Sequence, residues 1–400
     1  MQHPPPTSRA WTITARGLPP NVLQLVDRPT PTLPPHPLPA DVPEPEEWIL
    51  VRTAYAALNP GAIFQMTLLP QRFRKALFNV PEMDMSGVVV DVWHPDRPHA
   101  AEGAVPAPAP ASADGETPVG PAAPPRFARG EGVCAMLPAS HTLPTGTGAL
   151  AEYVALPARY AVRKPPSVAY ADAAALLAAL TAHRMVVESG ARAGDRVLVV
   201  GASGGIGTMA VQMLRHVVGK QGVVVGVCSG GNAEMVRALG ADEIVDYMLY
   251  KDLSRHLAAT YASAPFDAVL DTLGFQALYK ASPAYLREGG VYESVGIKPP
   301  TFWIPDFLRA VWTMKLNEWW PTSRWLGGVG RKWGACSMMH PSLAEREAVV
   351  GLMERGVIRV VRDSVWDFEH AREAYDKLAG RHAAGKILVR VDASVGENAC

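Results

Sequence analysis

The most specific chemical feature of the sequence is a glycine-rich turn. The stretch Gly194–Gly207 contains an apolar strand, a tight turn of small residues and the start of an amphipathic helical pattern. Backbone N–H groups in such a turn, with the positive end of the helix dipole behind them, are suited to bind a phosphate. A second apolar strand, Val223–Val227, follows at strand–helix–strand spacing. The motif therefore predicts a dinucleotide site, and an ordinary glycine-rich turn is the alternative. The predicted phosphate-binding residues are Ser203, Gly204, Gly205, Ile206 and Gly207.

This turn lies within a series of alternating strand and helix patterns. The apolar, strand-like runs cover 196–201, 223–228, 243–246, 266–271 and 290–296, with helix-like segments between them. Strands that alternate with helices of this length predict an α/β domain with a parallel, doubly wound sheet. Because the chain has 400 residues, we expect two domains.

Bulk composition argues against several classes of protein. The formal net charge is zero, so no electrostatic argument points to nucleic acid or an acidic membrane surface. The four cysteines stand far apart and form no Cys-x-x-Cys pair, which argues against a disulfide framework or a structural zinc site. No run of about 18 apolar residues is present, and the N-terminus lacks the apolar core of a secretory signal. We therefore expect a cytoplasmic protein with no transmembrane span.

Two segments differ in composition from the rest. Residues 94–125 are mostly Ala, Pro and Gly with almost no large apolar side chains, which predicts a disordered insert within a domain. Residues 302–333, the tryptophan-rich segment, contain six of the ten tryptophans together with Arg and Lys. We favour a packed helix pair at a subunit interface for this segment, and hence a homodimer. A lining for an apolar substrate and a membrane-interfacial anchor are the alternatives.

Eight short motifs, taken in their order and spacing, resemble the medium-chain dehydrogenase/reductase superfamily. The motifs are Leu58-Asn59-Pro60, Asp84-Met85-Ser86-Gly87, Ala151-Glu152-Tyr153, Thr181-Ala182, Gly201–Gly207, Leu239-Gly240-Ala241-Asp242, Asp271-Thr272-Leu273-Gly274 and Gly385-Lys386. The resemblance is to the zinc-independent branch of quinone oxidoreductases and enoyl reductases, which includes fungal oxidoreductases labelled zinc-binding. The family fold implies an NADP-binding Rossmann domain at 170–340. A mostly β, GroES-like catalytic domain would combine 1–169 with 341–400.

The resemblance also identifies the positions that hold the metal in zinc-dependent relatives. In this chain those positions are Asn59, Met83 and Leu177, and none supplies the thiolate or imidazole that zinc prefers. We therefore expect no metal. Without a Lewis acid, hydride transfer to a conjugated carbon is favoured, because the charge spreads into an enolate that hydrogen bonds can stabilise. Quinones, enones, enals and enoyl thioesters fit this description.

The turn after the second strand favours NADPH as the cofactor. NAD-specific folds usually place a carboxylate there to bind the ribose 2′-hydroxyl. Residues 227–232 contain none, and Ser229 and Asn232 could donate hydrogen bonds to a 2′-phosphate. Similar reductases often have a basic residue where this chain has Asn232, and a tyrosine after the third strand, which is Tyr247 here. A plain turn and helix N-cap is the alternative for Ser229 and Asn232.

For the active cleft, the resemblance implies Asn59 beside the nicotinamide and Thr181 on the helix beneath it. The rest of the cofactor cleft would be formed at two strand ends by Leu273, Gly274, Gly296 and Ile297. Tyr55 could donate a proton, although a core position is the alternative and solvent could also supply the proton.

These features predict an NADPH-dependent, zinc-independent reductase of a small apolar substrate, either an activated C=C bond or a quinone. A trans-acting enoyl reductase of a polyketide or fatty-acid pathway is a second interpretation. A non-catalytic scaffold protein that binds a nucleotide is a third. Positions that often hold Tyr and Asp in the family are here Phe64 and Ala62, so the substrate and the proton source stay open.

Overall fold

The computed structural model describes residues 4–33, 46–69, 76–94, 125–301, 303–323, 325, 328–336, 340–380 and 382–400. Apart from its two end residues, the insert predicted at 94–125 lies outside the described residues. The N-terminal part contains β1 Thr7–Ile13, α1 Pro19–Val22, β2 Leu23–Pro29, β3 Trp48–Ala57, α2 Pro60–Leu68, β4 Asp84–Trp93, β5 Gly132–Met136, α3 Ala139–Thr145, β6 Tyr153–Pro157 and β7 Ala161–Arg163.

The middle of the chain alternates strands and helices. Its elements are α4 Tyr170–Ala173, α5 Leu176–Ser189, β8 Arg196–Val200, α6 Gly207–Val218, β9 Val223–Cys228, α7 Ala233–Ala238, β10 Glu243–Asp246, α8 Leu253–Tyr261, β11 Phe266–Asp271, α9 Gln276–Ala281, β12 Leu286–Ser294, α10 Ile304–Trp319 and β13 Lys332–Ala335. The C-terminal part adds α11 Leu343–Glu354, β14 Arg362–Asp367, α12 Ala371–Ala379 and β15 Lys386–Arg390.

Six strands form a parallel sheet in the order β10-β9-β8-β11-β12-β13. Strand β8 is apolar almost throughout because both of its faces are covered. Val197 and Val199 pack into one hydrophobic cluster, which includes residues of α5 and α6. Leu198 and Val200 pack into another, which includes residues of α8 and α9. The predicted doubly wound sheet is therefore confirmed. The strand order reverses between β8 and β11, and in such sheets ligands bind beyond the carboxyl ends of the strands at this point.

The second sheet joins the two ends of the chain. Its seven strands follow the order β14-β15-β3-β4-β5-β7, and β6 also pairs with β3. Strand β15 pairs antiparallel with β3, with Leu388 opposite Ala57. This pairing brings Gly385 and Lys386, at the start of β15, close to Asn59, which follows β3. A separate hairpin pairs β1 with β2. The domain boundaries at 169/170 and 340/341 stay predictions.

Helix α5 connects the two sheets. It packs against α6 and against strands of both sheets, namely β4, β5, β11 and β12. Its residues Ala178 and Met185 share one hydrophobic cluster with Met136 of β5 and Val199 of β8. Thr181 on this helix is therefore held between the two sheets.

The tryptophan-rich segment does not form the predicted packed helix pair within its described residues. Its α-helix there is α10, and the residue of α10 that is buried is Ala310. Trp303, Trp312, Trp319 and Trp320 are exposed, whereas Trp333 on β13 is buried. No helix in the described part of the chain is long and apolar enough to cross a membrane.

Candidate active site

The glycine-rich turn lies at the switch point, directly after β8. The N–H groups of Gly201 and Ala202 donate to the carbonyl of Val227 on β9, which fixes the turn over two strands. Gly207 begins α6, and a Cβ at this position would collide with the backbone of Gly201 and Ala202. The predicted strand, turn and helix are therefore present. Gly204 differs in having open space beside its Cα, since the nearest atom to a Cβ there would be the Gly201 oxygen at 3.4 Å.

A lysine from the other sheet lies against this turn. Gly385 and Gly204 form an isolated parallel β-bridge. A Cβ on Gly205 would lie 2.7 Å from Cδ of Lys386, so the lysine side chain runs directly across the turn. Its ammonium donates to the carbonyl of Leu58 at 2.9 Å and to Oδ1 of Asn59 at 2.8 Å. Lys386 thus links the predicted phosphate site to the predicted nicotinamide site, although only 5% of it is exposed.

Asn59 is the centre of a buried polar cluster. It is the N-cap residue of α2, yet its side chain makes no capping hydrogen bond. Instead its Nδ2 donates to the carbonyl of Ala57 at 3.0 Å, to Oε2 of Glu82 at 3.0 Å and to Oδ1 of Asp84 at 2.6 Å. Asp84 also accepts from the N–H of Leu177 at 3.2 Å, which ties the cluster to the first turn of α5. The hydroxyl of Tyr375 on α12 donates to Oε1 of Glu82 at 2.5 Å.

Burial controls the charges in this cluster. It raises the pKa of Glu82 to about 8, and the nearby Asp84 carboxylate adds to this effect, whereas hydrogen bonds from Tyr375 and Asn59 oppose it. Burial also raises the pKa of Asp84, against the lowering effect of the Lys386 ammonium. The raised pKa favours the uncharged form of Glu82 near neutral pH. Carboxyl groups with strongly shifted pKa values are typical of functional sites.

Two further loops lie beside the glycine-rich turn, where Leu273 is close to Gly201. The buried carboxylate of Asp271 accepts hydrogen bonds from the N–H groups of Leu273 at 3.0 Å and Gly274 at 2.9 Å. A Cβ on Gly274, which has a φ of +76°, would collide with the carbonyl of Gly296. The N–H of Lys298 donates to Gly274, so Gly296 and Ile297 lie against this loop as predicted residues of the same cleft.

The remaining predicted cofactor residues lie where the sequence places them. Ser229 and Asn232 follow β9, and Nδ2 of Asn232 donates to Oγ of Ser229 at 3.2 Å. Asn232 is the N-cap residue of α7, as in the plain turn and N-cap alternative, but its side chain makes no capping hydrogen bond. Tyr247 follows β10 and is exposed. Thr181 is mostly buried, with its hydroxyl donating to Leu177 in the same helix.

An acidic residue that the sequence argument did not consider also reaches this region. Asp246 ends β10, and its carboxylate lies so close to Gly230 that a Cβ there would collide with it. Its Oδ1 accepts from the N–H of Met248 at 2.9 Å. The turn after β9 therefore has no carboxylate of its own but faces one from the neighbouring strand.

Tyr55 lies in the core instead of in the polar cluster. It is fully buried and packs in a cluster with Ala171, Ala174 and Leu388. Its hydroxyl donates to the carbonyl of Val395 at 2.9 Å. This position agrees with the alternative interpretation of Tyr55 and offers no proton to the cleft beside Asn59.

The three positions that hold zinc in zinc-dependent relatives lie in or near the polar cluster, but their residues have other contacts in this protein. Asn59 makes several hydrogen bonds within the cluster, and Met83 and Leu177 are partly buried apolar residues that pack against the core. In the parts of the chain that the structure describes, no group of three or more His, Cys, Asp or Glu residues could hold a metal ion.

Four residues of the cluster had no predicted role. Asp84 and Lys386 belong to motifs that carry the family resemblance, so a signal was present in the sequence. Glu82 and Tyr375 belong to none of these motifs. Glu82 lies just before β4 and contacts Asn59, and Tyr375 on α12, 293 residues further along the chain, joins the cluster through Glu82.

Comparison with known proteins gives a consistent result. A family model described as zinc-binding dehydrogenase matches residues 239–389. The medium chain reductase pydE from Acremonium sp is 32% identical over 96% of this chain and 99% of its own length. The trans-enoyl reductase poxH from Penicillium oxalicum is 30% identical over 96% of this chain and 98% of its own length.

Solved structures share the fold at lower identity. The quinone oxidoreductase from Coxiella burnetii matches 96% of this chain and 100% of its own, with a TM-score of 0.68 and 22% identity. A mycobacterial protein solved in complex with NADPH also has a TM-score of 0.68, with 21% identity, over 96% of this chain and 100% of its own.

Proposed function

Because the chain belongs to the medium-chain dehydrogenase/reductase superfamily, in its enoyl reductase and quinone oxidoreductase-like branch, and is an oxidoreductase, we propose that it is an NADPH-dependent reductase of activated C=C bonds. The observation that carries this proposal is the contact between Lys386 and the glycine-rich turn. Through it, a buried ammonium and the Asn59 amide lie beside a turn whose N–H groups suit a phosphate.

The described residues fit a dinucleotide. We infer that the N–H groups of Gly205, Ile206 and Gly207 and the helix end behind them bind the pyrophosphate, with Lys386 as the positive counter-charge. The N–H of Gly204 already donates to the carbonyl of Gly201 at 3.0 Å. The lysine ammonium has three hydrogens, and the two hydrogen bonds to Leu58 and Asn59 leave one for a ligand. When bound, the dihydronicotinamide would supply the hydride.

NADPH is proposed in preference to NADH for two reasons. The turn after β9 offers Ser229 and Asn232 as hydrogen-bond donors and has no carboxylate of its own. The mycobacterial protein of the same fold was solved with NADPH. We further infer that no metal takes part, because Asn59 occupies a ligand position and its amide is already committed to Glu82, Asp84 and Lys386.

The residues suggest how the reduction would be supported. An enolate or a hydroquinone anion formed at the cleft would be stabilised by hydrogen-bond donors held away from bulk water. Solvent is the proposed source of the proton, since Tyr55 lies in the core.

The whole-length similarity to poxH favours enoyl thioesters among the possible substrates. The name of that protein is trans-enoyl reductase, and it is similar to this chain over 98% of its length. We therefore propose, as the narrower function, reduction of an enoyl thioester delivered by another protein. A quinone is the second candidate, supported by the fold shared with the Coxiella burnetii enzyme.

The test is NADPH oxidation by purified protein with a panel of acceptors. Enoyl thioesters of a short pantetheine mimic, enals, enones and quinones should be compared at equal concentration, with NADH in parallel. We expect turnover with the enoyl thioesters, at higher kcat/KM with NADPH than with NADH. Tight NADPH binding without oxidation by any acceptor would support a non-catalytic scaffold instead, and turnover restricted to quinones would reject the enoyl proposal.

A further inference from the structure

Glu82 adopts a backbone conformation that does not suit its side chain. Its φ of +71° is in the left-handed region, and among the described residues no other non-glycine residue has a positive φ. A Cβ makes this conformation unfavourable, so glycine is usually found there. Residues retained in such a conformation are concentrated at functional sites, where the surrounding structure holds them in place. The question is therefore what the Glu82 side chain does.

Both oxygens of the Glu82 carboxyl group contact Asn59. Oε1 accepts from the Asn59 N–H at 3.2 Å and from the Tyr375 hydroxyl at 2.5 Å. Oε2 accepts from Nδ2 of Asn59 at 3.0 Å. Because Glu82 is only 2% exposed, these partners take the place of water. Glu82 thus holds both the backbone and the side chain of the residue at the start of α2.

The contacts of the Asn59 amide define its orientation. Nδ2 carries two hydrogens, and it faces three acceptors, on Ala57, Glu82 and Asp84. Its oxygen faces the ammonium of Lys386 at 2.8 Å. In the flipped orientation, the oxygen would face the two acidic side chains and the NH₂ group would face the ammonium, and both contacts would be unfavourable. The two acids therefore keep the Asn59 oxygen directed at Lys386.

This geometry connects Glu82 to the glycine-rich turn. Lys386 lies between Asn59 and Gly205, so a change in the Asn59 amide alters the position of the ammonium beside the turn. We propose that Glu82 is a positioning residue, which acts through Asn59 to hold the Lys386 ammonium at the cofactor site. The inference deepens the proposed function and rests on it for the identity of the cofactor.

Three charged or titratable groups lie around Glu82. They are Asp84 on β4, Tyr375 on α12 and Lys386 on β15. The Asp84 charge raises the pKa of Glu82, whereas the hydrogen bond from Tyr375 lowers it. Burial raises the pKa of Glu82 to about 8, so above that pH the cluster would gain a negative charge. That charge would draw the ammonium of Lys386 away from the turn and weaken nucleotide binding.

Two variants of Glu82 test the proposal. Glu82→Gln keeps a hydrogen-bonding side chain that cannot ionise, so we expect wild-type NADPH affinity at neutral pH but no loss of affinity between pH 7 and 9.5, where the wild type should weaken. Glu82→Gly removes the side chain and suits the positive φ. We expect it to lower NADPH affinity and kcat by about tenfold or more through mispositioning, while the melting temperature stays equal or rises. If Glu82→Gln keeps the wild-type NADPH affinity at neutral pH and Glu82→Gly does not, the hydrogen bonds of the Glu82 side chain are what positions the site.

Control variants separate this role from general effects of buried acids. Burial also raises the pKa of Glu293 to about 8, and this residue lies on β12 beside Gly334, outside the Asn59 cluster. Glu293→Gln should therefore retain the alkaline loss of NADPH affinity. Tyr375→Phe removes a hydrogen bond that lowers the pKa of Glu82, so the alkaline loss should move to higher pH.

The outcomes distinguish failure of this inference from failure of the proposed function. NADPH affinity is measured by fluorescence without any substrate, so it tests Glu82 even if no acceptor is reduced. If Glu82→Gln keeps the alkaline loss, or if Glu82→Gly loses stability while its NADPH affinity is unchanged, Glu82 is only structural and the inference is wrong. If the wild type binds NADPH but reduces none of the acceptors, the proposed function is wrong. The inference about Glu82 is then tested by the NADPH affinities of the wild type and the variants alone.

Discussion

At the scale of single residues, the cleft depends on polar side chains that satisfy one another without water. Asn59 alone connects two acids, a carbonyl and a lysine. A buried charge is tolerated only when it is paired and hydrogen-bonded. The Lys386 ammonium is held by hydrogen bonds to Leu58 and Asn59, and the raised pKa of Glu82 limits the negative charge of the cluster.

The pH dependence of stability should report this protonation. The pKa of Glu82 is raised from 4.5 to about 8 in the folded protein, so the folded state binds a proton that the unfolded state releases in that window. Its contribution to stability is fully present below about pH 4.5 and is lost as the pH rises through about 8. The free energy of unfolding of the wild type should therefore fall relative to Glu82→Gln across this window, by up to about 1.4 kcal/mol per pH unit. Denaturant unfolding of both proteins at several pH values measures the difference, and a constant difference would contradict it.

Asp246 offers a second prediction at the residue scale. Its carboxylate faces Gly230, in the turn that is proposed to bind the 2′-phosphate of NADPH. Asp246→Asn removes the negative charge but keeps the acceptor for the Met248 N–H. We expect NADPH affinity to increase by about fivefold, the equivalent of roughly 1 kcal/mol of repulsion near the surface, with little change for NADH. Titration with both cofactors measures this, and Asp252→Asn, at an exposed N-cap, is the control. Equal changes for the two cofactors would show that Asp246 does not face the 2′ position.

At the scale of elements, the sequence predicted the strands of the parallel sheet well, but it did not predict where a helical segment is broken into two helices. The strands 196–201, 223–228 and 266–271 were predicted to within a residue, because each is an apolar run between turn residues. The alanine- and leucine-rich residues 170–188 have one continuous helical pattern but form two helices, α4 and α5. The N–H of Leu177 in the first turn of α5 donates to Asp84, 93 residues earlier in the chain. No local pattern contains that information.

The glycine-rich turn gives a prediction at this scale. Gly205→Asp should abolish cofactor binding, but its Cβ would also press on the Lys386 side chain at 2.7 Å. Gly204→Asp is the sharper test, since a Cβ there meets nothing closer than 3.4 Å. The new carboxylate would extend into the open space assigned to the pyrophosphate, so NADPH affinity should fall at least about tenfold, with an unchanged melting temperature. Gly396→Asp adds the same group at an exposed position with no atom within 4 Å and should change neither. Unchanged NADPH affinity in Gly204→Asp would exclude the turn as the phosphate site.

At the scale of the whole molecule, the candidate site is formed by residues from the two ends of the chain. Asn59 follows β3, and Lys386 begins β15, yet they are hydrogen-bonded because β3 and β15 pair. The family resemblance implied that the two ends fold together, and it supplied Asn59 and the glycine-rich turn as site residues. It could not supply Glu82 or Tyr375, because their roles depend on packing between distant elements and their residue types carry no signal alone.

The exposed tryptophans give the last prediction, which concerns the oligomeric state. Trp319 and Trp320 are 55% and 40% exposed and contact each other edge to face at 5.6 Å, and Trp312 packs edge to face against Trp319. We propose that this surface, beside the edge strand β13, forms the interface of a homodimer, because large aromatic rings are the typical anchors of interfaces. The Trp319→Ala and Trp320→Ala double variant should then shift the protein toward monomer in analytical ultracentrifugation, since losing an anchor costs about 2 kcal/mol or more.

Met248→Ala with Leu249→Ala removes similarly exposed apolar groups from another element and should leave the sedimentation coefficient unchanged. If the double tryptophan variant keeps the dimer but raises KM for long apolar substrates, the segment lines the substrate site. If it loses only liposome binding, the segment is a membrane-interfacial anchor. Either result would reject the interface.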